Sequence, residues 1–207
     1  MQILTLLVGK IMSNCYLVWD SEKNAVVIDP GDEFIKIKNK IIENDLKIQK
    51  IILTHGHFDH ISAAKDIQDY TGAEIIAYVD EKIVIENDSY SLGYYMGDSY
   101  KRPKVDAFVS ENDIISCGRL SFKVIHTPGH TMGGMCLLID NSLFSGDTIF
   151  KYYIGRCDHP TGMLHQLTTS ILTKVFALPD DTIIYPGHGE STTIAFEKSN
   201  NEVFNWV

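Results

Sequence analysis

The chain has 207 residues, and 18 Lys and Arg stand against 27 Asp and Glu, a formal net charge of −9. Its longest basic cluster is Lys101, Arg102 and Lys104, interrupted by Pro103, which speaks against a nucleic-acid surface, since polyanions need a basic face. Hydrophobic residues at 44% and charged residues at 22% are ordinary for a globular domain and exclude disorder as the main state.

In chain order, residues 1–8 are apolar, with no basic segment before them and no small-residue cleavage site after them. They read as a first strand rather than a signal peptide. Short β-branched or aromatic runs closed by Pro or Gly follow at 25–28, 51–53, 122–125, 143–144 and 182–185, the pattern of buried strands. Between them, Phe34, Ile37, Ile41 and Ile42 have helical spacing after Asp32, a candidate cap, and windows 60–70, 80–86 and 161–177 are also helical. Residues 87–103, with Gly93, Gly97 and four Tyr, show no periodicity and predict a long surface loop of the kind that serves a site.

No linker or low-complexity tract divides the chain, so one mixed α/β domain over residues 1–207 is expected. No apolar run approaches the roughly 18 residues needed to span a bilayer, and no membrane partner is expected. Cys15, Cys117, Cys136 and Cys157 are far apart and form no C-x-x-C pair. Neither a disulfide framework nor a thiolate metal site is indicated, and cytoplasmic residence is the default.

The chemistry concentrates in His55, Gly56, His57, Phe58, Asp59 and His60, directly after an apolar run. With 8 His and 17 Asp in the chain, a random sequence would contain H-x-H-x-D-H only about one time in a thousand. His55 and His57 are two apart, so in an extended segment both imidazoles face one side and can hold one metal. Asp59 and His60 fall where a helix would begin and can turn toward a second. His130, Asp147 and His188 each follow a strand next to glycine, where a sharp turn can aim a ligand. Five His and two Asp suffice for two divalent ions, and an all-imidazole and carboxylate set suits Zn, Fe or Mn. Of the remaining histidines, His126 reads as packed or solvated and His165 as surface. His159 has no pattern of its own but is close in sequence to Arg156 and Asp158.

These motifs resemble the metallo-β-lactamase superfamily, and within it the hydroxyacylglutathione hydrolases (glyoxalase II) and their short relatives. The resemblance also takes in the segment from Asn14 to Val18, the turn Asp29, Pro30 and Gly31, the Ser145 to Thr148 segment, Gly155 with Arg156 and Asp158, and the Pro186 to Gly189 segment. It implies an αβ/βα sandwich, two facing sheets with helices outside and metals at one edge. It also implies that His55, His57 and His130 hold one metal, that Asp59, His60 and His188 hold the other, and that Asp147 bridges. Full-length glyoxalase II enzymes continue past the position of His188 into a helical C-terminal domain that supplies much of the glutathione contact. Here only residues 190–207 follow.

The expected activity is hydrolysis of a small anionic thioester, such as S-lactoylglutathione, by a metal-bridging hydroxide, with Asp59 and Asp147 catalytic. A thiolate, from a thiol of pKa about 8.5, leaves without a general acid. Phe58, Tyr94, Tyr95, Tyr152 and Tyr153 are candidates for the cleft wall, and Lys151 or Arg156 for holding a substrate carboxylate, unless Arg156 is spent on an ion pair with Asp158. The competing readings are a mononuclear iron persulfide dioxygenase, a phosphodiesterase or nuclease, and a non-catalytic metal-binding module.

Overall fold

The computed structural model describes residues 1–97 and 100–206. The chain begins with strands β1 (Gln2–Val8), β2 (Ser13–Trp19) and β3 (Asn24–Ile28), then helix α1 (Phe34–Glu43) and strand β4 (Lys47–Leu53). Helices α2 (Phe58–Ile61) and α3 (Ala64–Thr71) lead to β5 (Glu74–Tyr78), a 3-10 turn Val79–Glu81, α4 (Lys82–Ile85), α5 (Asp88–Ser91) and a second 3-10 turn, Gly93–Met96. The second half runs β6 (Ala107–Val109), β7 (Ile114–Cys117), β8 (Leu120–His126), β9 (Met135–Ile139) and β10 (Ser142–Gly146). After it come α6 (Leu164–Ser170), a π-helical turn Ile171–Val175, β11 (Ile183–Pro186), β12 (Thr192–Thr193), α7 (Ile194–Asn200) and a final 3-10 turn, Glu202–Trp206.

Two six-stranded mixed sheets result, ordered β1-β2-β3-β4-β5-β6 and β12-β11-β10-β9-β8-β7. The strand period of two decides how they stack. In the first sheet Tyr16, Val18, Val26, Ile28, Ile52 and Ile76 point inward and pack against Phe122, Val124, Leu137 and Phe144 of the second. The alternate residues Leu17, Val27, Ile51 and Ile75 face outward, under Ile37 and Ile41 of α1 and Ala64 and Ile67 of α3. On the far face of the second sheet, Cys136, Leu143 and Ile184 lie under Leu167 of α6 and Ile171 and Val175 of the π-helical turn. The fold is therefore the expected αβ/βα sandwich, helices outside two facing sheets.

Several local expectations change. Helix α1 is capped not by Asp32 but by Glu33 in a left-handed conformation, with no side-chain cap, and Asp32 instead accepts a hydrogen bond from the Glu33 N–H at 2.6 Å. The helix expected at 60–70 starts at Phe58 and breaks after Ile61, because the Ala63 N–H donates to the Pro30 carbonyl at 2.9 Å. The 161–177 window holds a helix only from Leu164 and finishes as a π-helical turn. The expected 87–103 loop contains α5 and the 3-10 turn Gly93–Met96, and its residues Asp98 and Ser99 lie outside the described residues. Among the described residues no helix is long and apolar enough to cross a membrane.

Candidate metal centre

The strand ends place the candidate ligands. His55 and His57 leave the end of β4, and Asp59 and His60 open α2. His130 lies in the turn between β8 and β9, Asp147 directly follows β10, and His188 follows β11. The two sheets are laced together at this edge. The Met135 N–H donates to the Thr54 carbonyl at 3.0 Å, and the Asn14 N–H to the Gly187 carbonyl at 2.7 Å. The Asn14 side chain donates to the carbonyls of Pro186 and Gly189, both at 2.9 Å. Gly187 is required here, because a Cβ on it would lie 2.0 Å from Asp147 Oδ1.

Among the described residues three groups have their ligand atoms within 4.8 Å of one another: His55, His57 and His130 form one donor set, Asp59, His60 and His188 a second, and the third, Asp29 with His55 and His60, draws one histidine from each. His57 Nδ1 and His130 Nε2 are 2.9 Å apart, and His60 Nε2 and His188 Nε2 are 3.3 Å apart. Around one ion with bonds of about 2.0–2.1 Å, tetrahedral nitrogens sit about 3.3 Å from each other, so these separations suit nitrogens sharing a cation. Asp147 stands between the sets: Oδ1 is 3.4 Å from His60 Nε2, and Oδ2 is 3.6 Å from both His130 Nε2 and His188 Nε2.

Neighbouring groups fix the tautomers. The His130 Nδ1–H donates to the Arg156 carbonyl at 2.7 Å, and the His60 Nδ1–H to Asp29 Oδ2 at 3.0 Å. Thr54 Oγ1 donates to Asp29 at 2.6 Å, and so accepts from His55 Nδ1–H at 3.2 Å. Each arrangement turns the Nε2 of His55, His60 and His130 into the centre, the orienting role that outer partners play around metal ligands. His55 Nε2, His57 Nε2 and Asp147 Oδ1 are buried with no hydrogen-bond partner. Buried polar atoms are nearly always satisfied, and a cation would supply what His55 and Asp147 lack. The donor set fits divalent ions of the Zn, Fe or Mn type.

The electrostatics point the same way. Burial holds the His55 and His57 imidazoles well below their ordinary pKa, and it lowers His130 as well. Burial opposes ionisation of Asp59, yet His60 and His188 outweigh it and drive its pKa below the carboxylate range. For His60, burial is overcome by Asp147, Asp59 and Asp29, which lift its pKa to about 10. The centre thus offers neutral nitrogens on one side and draws positive charge on the other.

Two residues outside the set of sequence-predicted ligands hold the site together. Asp29 accepts from His60, from Thr54 Oγ1 and from the Thr54 N–H at 2.7 Å. Glu81, fully buried, accepts from the Gly56 N–H at 2.7 Å, from Thr131 Oγ1 at 3.0 Å and from the Gly133 N–H at 2.9 Å. Burial pushes the Glu81 carboxyl up to about 7 against the pull of those donors. Asp29 could have been singled out only through the turn it shares with Pro30 and Gly31.

The ligands open onto a cavity of about 780 Å³ that includes His57, Asp59, His130, Asp147 and His188. Ile11, Phe58, Leu92, Tyr95 and Phe150 make its apolar wall, and Lys10, Arg156 and His159 its polar rim. The Phe58 and Tyr95 rings are 5.7 Å apart, and the His159 ring is 5.7 Å from that of His57. Arg156 reaches the cavity and also forms the ion pair with Asp158, at 2.7 and 2.9 Å. Lys151 and Tyr152 do not line it, contrary to the sequence expectation. Lys151 pairs with Glu190 at 2.7 Å, and Tyr152 turns away with its ring 5.1 Å from Phe196 of α7. The Tyr152 N–H donates to Glu197 at 3.0 Å, and Asn201 Nδ2 donates to the carbonyls of Phe150 and Tyr153, so the C-terminal segment clasps this loop outward. Tyr94 and Tyr153 are exposed, and His126 stacks on Tyr78 at 4.1 Å, away from the centre.

Residues 8–188 match the metallo-beta-lactamase superfamily. The chain belongs to this superfamily. The hydroxyacylglutathione hydrolase GloC of Haemophilus influenzae is 37% identical over 207 residues, 96% of this chain and 95% of the relative. Among solved structures, the B3 metallo-beta-lactamase BLEG-1 aligns with a TM-score of 0.91 at 31% identity, over 97% of this chain and 98% of that one. ETHE1 from Myxococcus xanthus aligns with a TM-score of 0.82 at 30% identity, over 97% of this chain and 83% of that one. The family match and the GloC relative place the chain in a superfamily of metallo-hydrolases, and its His and Asp groups are able to bind metal.

Proposed function

We propose that the protein is a dinuclear metal-dependent hydrolase of small anionic thioesters, of the type of S-lactoylglutathione, in a reducing cytoplasmic setting. The observation that carries this reading is the position of Asp147, within 3.6 Å of histidines from both donor sets. His55, His57 and His130 would hold one divalent ion, Asp59, His60 and His188 the other, and Asp147 would serve both. Ions at such a centre supply Lewis acidity and lower the pKa of a water toward 7, which makes hydroxide available at neutral pH.

The chain's own groups supply the rest. Ser13 Oγ donates to Asp59 Oδ2 at 3.3 Å and steers that carboxylate, while Asp29 and the Arg156 carbonyl hold His60 and His130 in register. Phe58 and Tyr95 exclude water from one side of an acyl group, and the Arg156 guanidinium on the rim receives a carboxylate. A thiolate leaving group, from a thiol of pKa about 8.5, needs no protonated side chain beside it. Similarity to GloC over nearly the whole chain supports the thioester class. The net charge of −9 argues against nucleic acid as substrate.

Similarity to ETHE1 favours one second reading, oxidation of a persulfide at a single iron bound by two His and a carboxylate. Parallel assays separate the two. Thiol release from S-lactoylglutathione and other acyl thioesters is followed beside lactone and cephalosporin hydrolysis, and oxygen uptake is followed on glutathione persulfide. The hydrolase reading expects thioester cleavage without oxygen uptake. Oxygen consumption by a protein with one iron per chain overturns it.

A further inference from the structure

The three-histidine set is built from two segments far apart in sequence, and one buried side chain ties them. Glu81 ends the 3-10 turn after β5 and is fully buried. One of its carboxylate oxygens accepts from the N–H of Gly56, the residue between His55 and His57. The other accepts from Thr131 Oγ1 and the Gly133 N–H, in the turn that carries His130. The fit is tight, since a Cβ on Gly133 would lie 2.3 Å from the Glu81 nitrogen and 2.6 Å from Oε2. The other set is held differently, Asp59 by Ser13, His60 by Asp29, and the His188 turn by Asn14.

We propose that Glu81 is the positioning residue of the three-histidine set. Its carboxylate fixes the His55 to His57 segment against the His130 turn, and so governs the affinity of that set, and not of the Asp59, His60 and His188 set, for a divalent ion. The inference rests on the two-ion reading under Proposed function. A glutamine at position 81 has a single acceptor oxygen, so its amide NH2 would face one of the two backbone N–H groups that the carboxylate now satisfies. The strain falls on the spacing between the two segments, and outer partners of metal ligands typically matter at roughly ten- to hundredfold in affinity.

The test titrates the wild type, Glu81→Gln and Thr131→Val, each stripped of metal, with Zn²⁺ against a chromophoric chelator at pH 8. Far-UV circular dichroism and the thermal midpoint of the stripped proteins report folding. The wild type is expected to take two equivalents. Glu81→Gln should take one equivalent with wild-type affinity and the other roughly ten- to hundredfold more weakly. Thr131→Val, which removes one donor without changing shape, should weaken the same equivalent by a smaller factor, and it carries the test if Glu81→Gln does not fold. Two equivalents at unchanged affinity in the folded variants, or equal weakening of both, would overturn the positioning role. A wild type that binds fewer than two equivalents overturns the two-ion reading itself.

Discussion

Arg156 serves His130 through its main chain and the cavity through its side chain. Its carbonyl accepts the His130 Nδ1–H at 2.7 Å, while its guanidinium, paired with Asp158, stands on the rim above the ligands. Truncation of the side chain leaves the carbonyl in place, so binding of substrate and binding of metal become separable. Arg156→Ala is expected to raise KM for an anionic thioester roughly tenfold, with kcat and metal content little changed. Steady-state kinetics with metal analysis check this, and a fall in metal content would show that the side chain orients His130.

Asp147 lies close to histidines of both donor sets, and its Oδ1 has no hydrogen-bond partner. Asp147→Ala should abolish turnover and lower metal content, and a chelator should lower the thermal midpoint of the wild type more than that of the variant. Bound ions stabilise the folded state by mass action, so the midpoint of the wild type should rise again with added Zn²⁺. Differential scanning fluorimetry with and without chelator measures both effects.

Asp20, at the other end of β2 from Ser13, joins the two sheets. It accepts from the N–H of Arg119 at 2.9 Å, from Asn24 Nδ2 at 3.0 Å, and from the N–H groups of Glu22 and Asn24. These donors, Arg119 foremost, hold its pKa down from 3.8 to about 2. A carboxylate depressed in the folded state adds stability above its ordinary pKa and loses it as pH falls through the folded value. Asp20→Asn should therefore be less stable than the wild type at neutral pH, and the difference should shrink between about pH 4 and pH 2. Urea melts across that range give the comparison.

Phe144 fills the space between the sheets, fully buried, with its ring 5.1 Å from Tyr16 and 5.2 Å from Tyr185. Tyr16 also donates its hydroxyl to the Pro186 carbonyl at 2.6 Å, just before the His188 turn. Phe144→Ala should cost about 3–5 kcal/mol in urea unfolding. It should also loosen the His188 turn, which weaker metal retention would report.

The donors were legible in the sequence because metal chemistry needs particular side chains at short spacing, and His55 to His60 concentrates four of them. His130, Asp147 and His188 stood out through their glycine turns. Their partition between two ions came from family resemblance and not from spacing. Strands β5 and β9 went unmarked because neither run is closed by Pro or Gly. Glu81 sits in a stretch read as an ordinary helix, and nothing local distinguishes a glutamate that will meet Gly56 and Gly133 only after the two sheets pack. Lys151 and Tyr152 were placed by their nearness to Asp147 in sequence. The contacts that turn their loop outward come from Glu190, Phe196, Glu197 and Asn201, some forty to fifty residues later.

The central claim is tested most directly by thioester hydrolysis followed as metal is returned to the stripped protein. Thiol released from S-lactoylglutathione is measured against equivalents of Zn²⁺, Fe²⁺ or Mn²⁺ added, with Asp147→Ala as control. The account predicts that turnover is absent in the stripped protein, reaches its plateau at two equivalents per chain, and is lost in the control. No thioester cleavage with any of the three metals at two equivalents would contradict it.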